Sequence, residues 1–227
     1  MRHIRPYKIF SLIEAKLSER VVNVTLPSRR GLGGTSLLET MLIIAGTRIV
    51  DARRVFEIGT FLGSNTMNMA LNLPVDASIF TLDLDAQHAA VSQQLPEDAP
   101  LTQLHLASES TLDFSGLPDV ARKVTTLNGN STTFDFSKWK RSIDFMFIDG
   151  GHDYLTVKTD TENAFEMVAV EKHSCIMWHD YRSWEYPALT CYLDDLSKKQ
   201  EIFHIEDTKL CVWFNDPSGS IISRLID

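Results

Sequence analysis

Several apolar segments of this chain end in groups able to do chemistry. Glu57 follows Val55-Phe56, and Asp83 with Leu84 follows Phe80-Thr81-Leu82. Asn130-Ser131 follows Lys123–Leu127, Asp149 and His152 follow Ile143–Ile148, and His179-Asp180 follows Ser174–Trp178. Carboxylates can accept hydrogen bonds from sugar hydroxyls or hold a cation. An imidazole, titrating near pH 6.5, can take a hydroxyl proton at neutral pH. One acid after one strand is most simply a helix cap or a turn residue. The same feature at strand end after strand end argues for one shared crevice.

The elements that must position these groups alternate between strand and helix. Val55–Ile58 reads as a strand. The turn Gly59-Thr60-Phe61-Leu62-Gly63 follows, then a helix from Ser64 to about Leu73, stopped by Pro74. Further strands are expected at Ser78–Leu84, Lys123–Leu127, Ile143–Ile148 and Ser174–Trp178, with helices carrying Tyr154, Val157, Ala164 and Phe165, then Leu189, Tyr192, Leu193 and Leu196, on single faces. Alternation of this kind gives a mostly parallel sheet, whose ligands bind outside the carboxyl ends of the strands. The last two strands, Glu201–Ile205 and Leu210–Phe214, are joined by too few residues for a parallel crossover and must be antiparallel. Upstream, residues 7–17 read as a short helix, and Ser36-Leu37-Leu38-Glu39 has the form of a capping box opening another.

The glycine turn narrows the ligand. A dinucleotide fingerprint needs a middle glycine for close approach of a pyrophosphate, and Phe61 stands there instead. A nucleoside without phosphates, of which S-adenosylmethionine is the common case, suits Gly59 and Gly63 better. Asp83 follows the turn at the interval from which an acid reaches ribose hydroxyls. It competes with Asp85, the more natural helix cap. Asn130 and Ser131 either meet an adenine edge or simply form a turn. Glu57 faces the site if strand alternation holds, and otherwise braces the backbone.

The 227 residues, 44% hydrophobic and 23% charged, suit one domain over 1–227. Within it, residues 1–50 read as an N-terminal helical cap and 51–215 as the cofactor-binding core. Residues 96–122 are an insertion, a lid or a helix, undecided by pattern. A net charge of −8 argues against nucleic acid as a partner. No apolar run approaches the roughly 18 residues of a membrane span, and the first 25 residues lack a signal-peptide core. A cytoplasmic protein without a membrane partner is expected. Its three separated cysteines, Cys175, Cys191 and Cys211, are expected to be buried free thiols. The apolar N-terminal helices offer a surface for a homodimer.

Phe56-Glu57-Ile58-Gly59-Thr60, Thr81–Asp85, Phe147–Tyr154, Trp178-His179-Asp180-Tyr181 and Ile205–Leu210 together resemble class I S-adenosylmethionine-dependent methyltransferases. Within these the likeness, spanning about residues 54–214, is to a small-molecule O-methyltransferase group that includes sugar- and antibiotic-tailoring enzymes. The resemblance implies an α/β, Rossmann-like, mostly parallel seven-stranded sheet with an antiparallel last strand and helices on both faces. It implies that Gly59, Thr60, Phe61, Gly63 and Ser64 lie under the methionine part of the cofactor and that Asp83 and Leu84 meet the ribose. Asn130 and Ser131 would lie beside the adenine, with Asp149 at the floor where the small-molecule acceptor meets the sulfonium.

Some relatives hold a divalent metal, magnesium or manganese, between acids at the positions of Asp149 and of His179-Asp180. This chain has His179 where they carry an acid, a softer ligand that weakens the case for magnesium. It has Gly151 where some carry a basic residue, which leaves His152 as the natural general base. Two other readings stay open: a non-catalytic S-adenosylmethionine-binding module, and a metal-dependent hydrolase built on the Asp/His cluster. Trp139, Trp178, Tyr154 and Tyr181 either stack at the mouth or belong to the core. The segment Pro27–Thr35 is a flap or a plain loop. His3, His88, His105, His173 and His204 are expected on the surface or in packing.

Overall fold

The computed structural model describes residues 1–13, 21–25, 34–108, 112 and 114–226. In chain order the elements are β1 (Arg2–Ile4), α1 (Pro6–Ser11), α2 (Leu37–Ile49), β2 (Arg54–Ile58), α3 (Ser64–Asn72), β3 (Ser78–Asp83), α4 (Ala86–Ala89), α5 (Ala99–Ala107), α6 (Pro118–Ala121), β4 (Val124–Asn128), β5 (Phe145–Ile148), α7 (Tyr154–Met167), β6 (Ser174–Trp178), α8 (Pro187–Leu196), β7 (Phe203–Ile205), β8 (Cys211–Asn215) and α9 (Ser220–Ile226). The eight strands form one sheet in the order β1-β7-β8-β6-β5-β2-β3-β4. Strand β8 is antiparallel to both β6 and β7, as the short Glu206–Thr208 turn requires, and the other pairs are parallel.

The sheet has one strand more than the seven expected. Arg2, His3 and Ile4 pair with Phe203, His204 and Ile205. Three residues are too few for a period to show, so this edge strand had no sequence signal. It also means that the N-terminal region is not purely helical. The helix expected over 7–17 is helical from Pro6 to Ser11, and residues 14–17 lie outside the described residues.

Strand alternation divides the core between the two sheet faces. Val55, Ile79, Phe145, Phe147, Cys175 and Met177 pack under α2 and α3, while Phe56, Ile58, Leu82, Met146, Ile148 and Trp178 pack under α7 and α8. Each such side chain, fully buried, contributes about 1.5–3 kcal/mol. Trp139, Trp178 and Tyr181 belong to this core, and Tyr154 packs edge-on against Tyr192, so none of the four lines the mouth of the crevice. The α2 capping box is formed: the Glu39 N–H donates to Ser36 Oγ at 3.3 Å, and the Ser36 N–H donates to Glu39 Oε2 at 2.7 Å. Cys175 and Cys211 are buried free thiols, but Cys191 sits on the outer side of α8 and is exposed. Among the described residues no helix is long and apolar enough to cross a membrane.

Candidate active site

Strand order turns back on itself between β2 and β5, and a crevice opens there beyond the carboxyl ends of the strands. The loops leaving these two strands touch backbone to backbone. Gly59 has φ +96°, and a Cβ on it would stand 2.0 Å from the carbonyl oxygen of Asp149. Only glycine permits both the conformation and the contact. Gly63, with φ +77°, then starts α3.

A cavity of about 620 Å³ runs along the strand ends, a size suited to a cofactor. Every site residue singled out from the sequence lines it except Glu57 and Gly63. Glu57 is turned by the alternation of β2 to the α3 face. Its Oε2 accepts from the hydroxyls of Thr66 and Thr81, and its Oε1 has no partner among the described residues. Burial pushes this carboxyl up to about 8 despite those hydroxyls. It braces the sheet rather than reaching the cavity. Gly63 serves as the cap of α3 and does not line the cavity.

At one end of the cavity Asp83 accepts from the Phe61 N–H at 2.6 Å through Oδ2 and from the Leu84 N–H at 2.7 Å through Oδ1. Phe61 itself sits at φ +47°. Asp85 is the helix cap, taking the His88 N–H at 2.8 Å, which leaves Asp83 to the crevice. Asn130 accepts from the Thr132 N–H at 3.0 Å and donates to Ser92 Oγ at 2.9 Å, and Ser131 lies beside it. His105, read as a surface or packing residue, is part of this wall: its ring nitrogens lie 2.7 Å from Phe61 O and 3.2 Å from Leu84 O. The undecided stretch 96–122 thus supplies α5, which closes the cavity over Asp83. Residues 109–111 and 113 lie outside the described residues.

At the other end the charged groups crowd together. His179 Nδ1 lies 3.2 Å from Asp149 Oδ1 and 3.1 Å from Asp180 Oδ2. One donor atom from each of the three residues falls within 4.8 Å of the others. Asp180 has φ +60°, a left-handed conformation that Asp tolerates better than most residues and that is typical of functional sites. Its Oδ1 accepts from Lys209 Nζ at 2.9 Å, and its Oδ2 also meets His152 Nε2 at 3.2 Å. Hydrogen bonds from His152 and His179 outweigh burial and hold the Asp180 carboxyl well below the usual range. His179 is raised in turn, because Asp149 and Asp180 oppose the burial that would discharge it.

His152 is buried, lies flat on Tyr186 with ring centroids 3.7 Å apart, and presents Nδ1 to Asp98 Oδ1 at 2.7 Å. Burial favours the neutral ring, but hydrogen bonds to Asp180 and Asp98 prevail and raise it to about 9. Between these carboxylates the ring is held above the ordinary imidazole value from which the sequence reading starts.

Asp98, Glu39, Lys209 and Tyr186 complete the site, and none was singled out for it from the sequence. Glu39 was visible only as a capping residue. Lys209 was visible only within the Ile205–Leu210 segment that carries part of the resemblance. A second, more open groove, lined by Gly34, Thr35, Glu39, Asp207 and Lys209, meets the cavity at His179. Gly34 and Thr35 end the segment expected as flap or loop, and residues 27–33 of it lie outside the described residues. Among the described residues no lysine or arginine lines the main cavity, whereas Asp83, Asp98, Asp149, Asp153 and Asp180 do.

Known proteins share the fold and a stretch of the sequence. The catechol O-methyltransferase of Niastella koreensis is 34% identical over 67 residues, which are 29% of this chain and 30% of that protein's length. An O-methyltransferase of Bacillus cereus, solved with S-adenosylhomocysteine (SAH), shares the fold at a TM-score of 0.52 and 14% identity, over 92% of this chain and 90% of that one. TomG of Streptomyces achromogenes, an O-methyltransferase involved in tomaymycin synthesis and solved with S-adenosylmethionine, aligns at a TM-score of 0.52 and 15% identity, over 80% of each chain. A family profile described as a methyltransferase domain matches residues 56–181, from β2 through the His179-Asp180 loop. The chain belongs to this methyltransferase domain family.

Proposed function

We propose that the protein transfers the methyl group of S-adenosylmethionine to a hydroxyl oxygen of a small molecule, with Asp149, His179 and Asp180 holding a divalent cation beside the acceptor. The observation that carries this reading is the charge of the cavity. Its aspartates, with no lysine or arginine among the described lining residues, suit a cationic sulfonium and are wrong for a pyrophosphate. Asp83 offers its carboxylate to the ribose hydroxyls, and Asn130 and Ser131 offer donors and acceptors to the adenine. Gly59, Thr60, Phe61, Leu84 and Ser64 give the floor on which the cofactor lies.

The three-residue set also fits a cation. Donor–donor separations of 3.1 and 3.2 Å match adjacent ligands on an ion with bonds of about 2.2 Å. One imidazole among two carboxylates favours manganese, iron or zinc over magnesium. His179 must shed its proton to serve as a ligand. A cation held there would gather the acceptor's oxygens and lower the pKa of the hydroxyl to be methylated.

The chain's own groups orient and deprotonate. Methyl transfer is an in-line displacement, so holding the acceptor oxygen in line supplies much of the rate. His152, with Nε2 turned toward Asp180 and Nδ1 held by Asp98, is the residue positioned to receive the hydroxyl proton. With its pKa raised to about 9, its base form falls tenfold for each pH unit below that value. The groove between residues 34–39 and 207–209 gives the acceptor a way in that the cofactor does not occupy. The buried free thiols Cys175 and Cys211 support a reducing compartment, the cytoplasm.

A non-catalytic module rested on His179 and Gly151, but His179 converges with both acids. A hydrolase would leave Asp83 and the glycine turn idle. The test is calorimetry with S-adenosylmethionine and SAH, followed by methyl transfer to a panel of hydroxylated acceptors with manganese or chelator present. Micromolar cofactor binding with manganese-dependent transfer supports the reading. A folded protein that binds neither cofactor form at hundreds of micromolar refutes it.

A further inference from the structure

We infer that Glu39 is a positioning residue for the cation site, holding the ring of His179 so that Nδ1 faces Asp149 and Asp180. The inference rests on the cation reading proposed above. Glu39 lies in the first turn of α2, is 6% exposed, and uses its two oxygens differently. Oε2 closes the capping box with the Ser36 N–H. Oε1 accepts from the Lys209 N–H at 2.8 Å and stands 3.5 Å from Nε2 of His179. That nitrogen is buried and has no hydrogen-bond partner among the described residues, so Glu39 is the carboxylate it faces.

A histidine that binds a metal through one ring nitrogen characteristically gives its other N–H to a carboxylate or carbonyl. This fixes both the tautomer and the plane of the ring, and losing the partner weakens metal affinity about 10–100-fold. A helix cap alone explains less, because it needs only Oε2, and Gln at this position caps equally well. The cap and the Lys209 N–H between them engage both oxygens, but neither requires the second to face an imidazole. The neighbouring contact has the same sense: Lys209, whose backbone is tied to Glu39, reaches Asp180 with its ammonium. The consecutive residues His179 and Asp180 are therefore each held from the groove side by one member of the Glu39–Lys209 pair.

The variant Glu39→Gln separates the two roles, since its single amide oxygen can keep the Ser36 N–H of the cap, while its amide nitrogen, a donor, can accept neither from the Lys209 N–H nor from Nε2–H. Manganese binding to the purified full-length protein, without cofactor, is followed by calorimetry and by the electron paramagnetic resonance signal of free manganese. The inference expects Kd for manganese to rise about 10–100-fold in Glu39→Gln. Ser36→Ala, which removes the cap, should lower Tm by about 2–4 °C and leave that Kd unchanged. Parent-like affinity in Glu39→Gln would reduce Glu39 to a helix cap and overturn the inference. A parent protein that binds no manganese would instead remove the cation reading itself, and the inference with it.

Discussion

Asp98 Oδ1 stands 2.7 Å from Nδ1 of His152, joining the start of α5 to the loop after β5 across the mouth of the cavity. The Asp98 Oδ2 also takes the His152 N–H at 3.3 Å, so ring and backbone are gripped together. A carboxylate placed behind an imidazole in this way fixes the ring's orientation, here with Nε2 toward Asp180. The region the sequence left undecided thus supplies the group that orients the proposed base.

Asp98→Asn should lower kcat by roughly 10–100-fold while KM for S-adenosylmethionine stays within a few-fold, because the side chain orients the base without touching the cofactor. Initial rates at saturating acceptor check this. Equal losses in His152→Ala and in the double variant would show that the two residues act as one unit.

Asp83→Asn should weaken SAH binding by about 10–100-fold, the loss expected when a charged hydrogen-bond acceptor is neutralised. Calorimetry reads it directly. The rate at saturating cofactor should fall much less, since Asp83 stands at the end of β3, across β2 from Asp149 and His179.

Dialysis against a chelator should abolish methyl transfer without unfolding the protein. Manganese should restore it better than magnesium, given one nitrogen among the three donors. Asp149→Asn should lose at least about 100-fold in rate and require more manganese for what remains. Assays across a metal titration decide the order of the two ions.

Glu57 links stability to pH. Its folded-state value of about 8 lies above the 4.5 of the free side chain. The buried acid is therefore fully tolerated below pH 4.5, and its contribution is lost as pH rises toward 8. Glu57→Gln should flatten that part of the stability curve and raise stability at pH 8 by on the order of 1–3 kcal/mol, less than the shift alone implies because Thr66 and Thr81 still need an acceptor. Urea denaturation of both proteins at pH 5, 6.5 and 8 checks the sign.

The central parallel strands β2, β5 and β6 were readable because strands buried on both faces are written as apolar runs, and each run here stops at a polar residue that the sheet then carries to its ligand edge. The reversed last strand followed from three turn residues. Arg2–Ile4 escaped because a three-residue edge strand has no period of its own, and it is specified by Phe203–Ile205 far along the chain. Asp98 and His105 escaped because α5 has no residue fully buried and so no apolar stripe to announce it. Glu39 was hidden by its own clarity as a cap: a local motif accounted for the residue, and its second contact, with His179, is purely tertiary. Glu57 went the other way, placed near the cofactor by motif but turned by strand alternation into the space between Thr66 and Thr81.

The central claim is that one crevice seats the adenosyl group at Asp83 and brings its sulfur to the Asp149–His179–Asp180 end. A crystal structure with SAH and manganese tests this most directly. The expected result has both ribose hydroxyls within about 3 Å of the Asp83 carboxylate, with the sulfur facing the ion. Electron density placing the ribose away from Asp83, or the ligand outside this crevice, would contradict it.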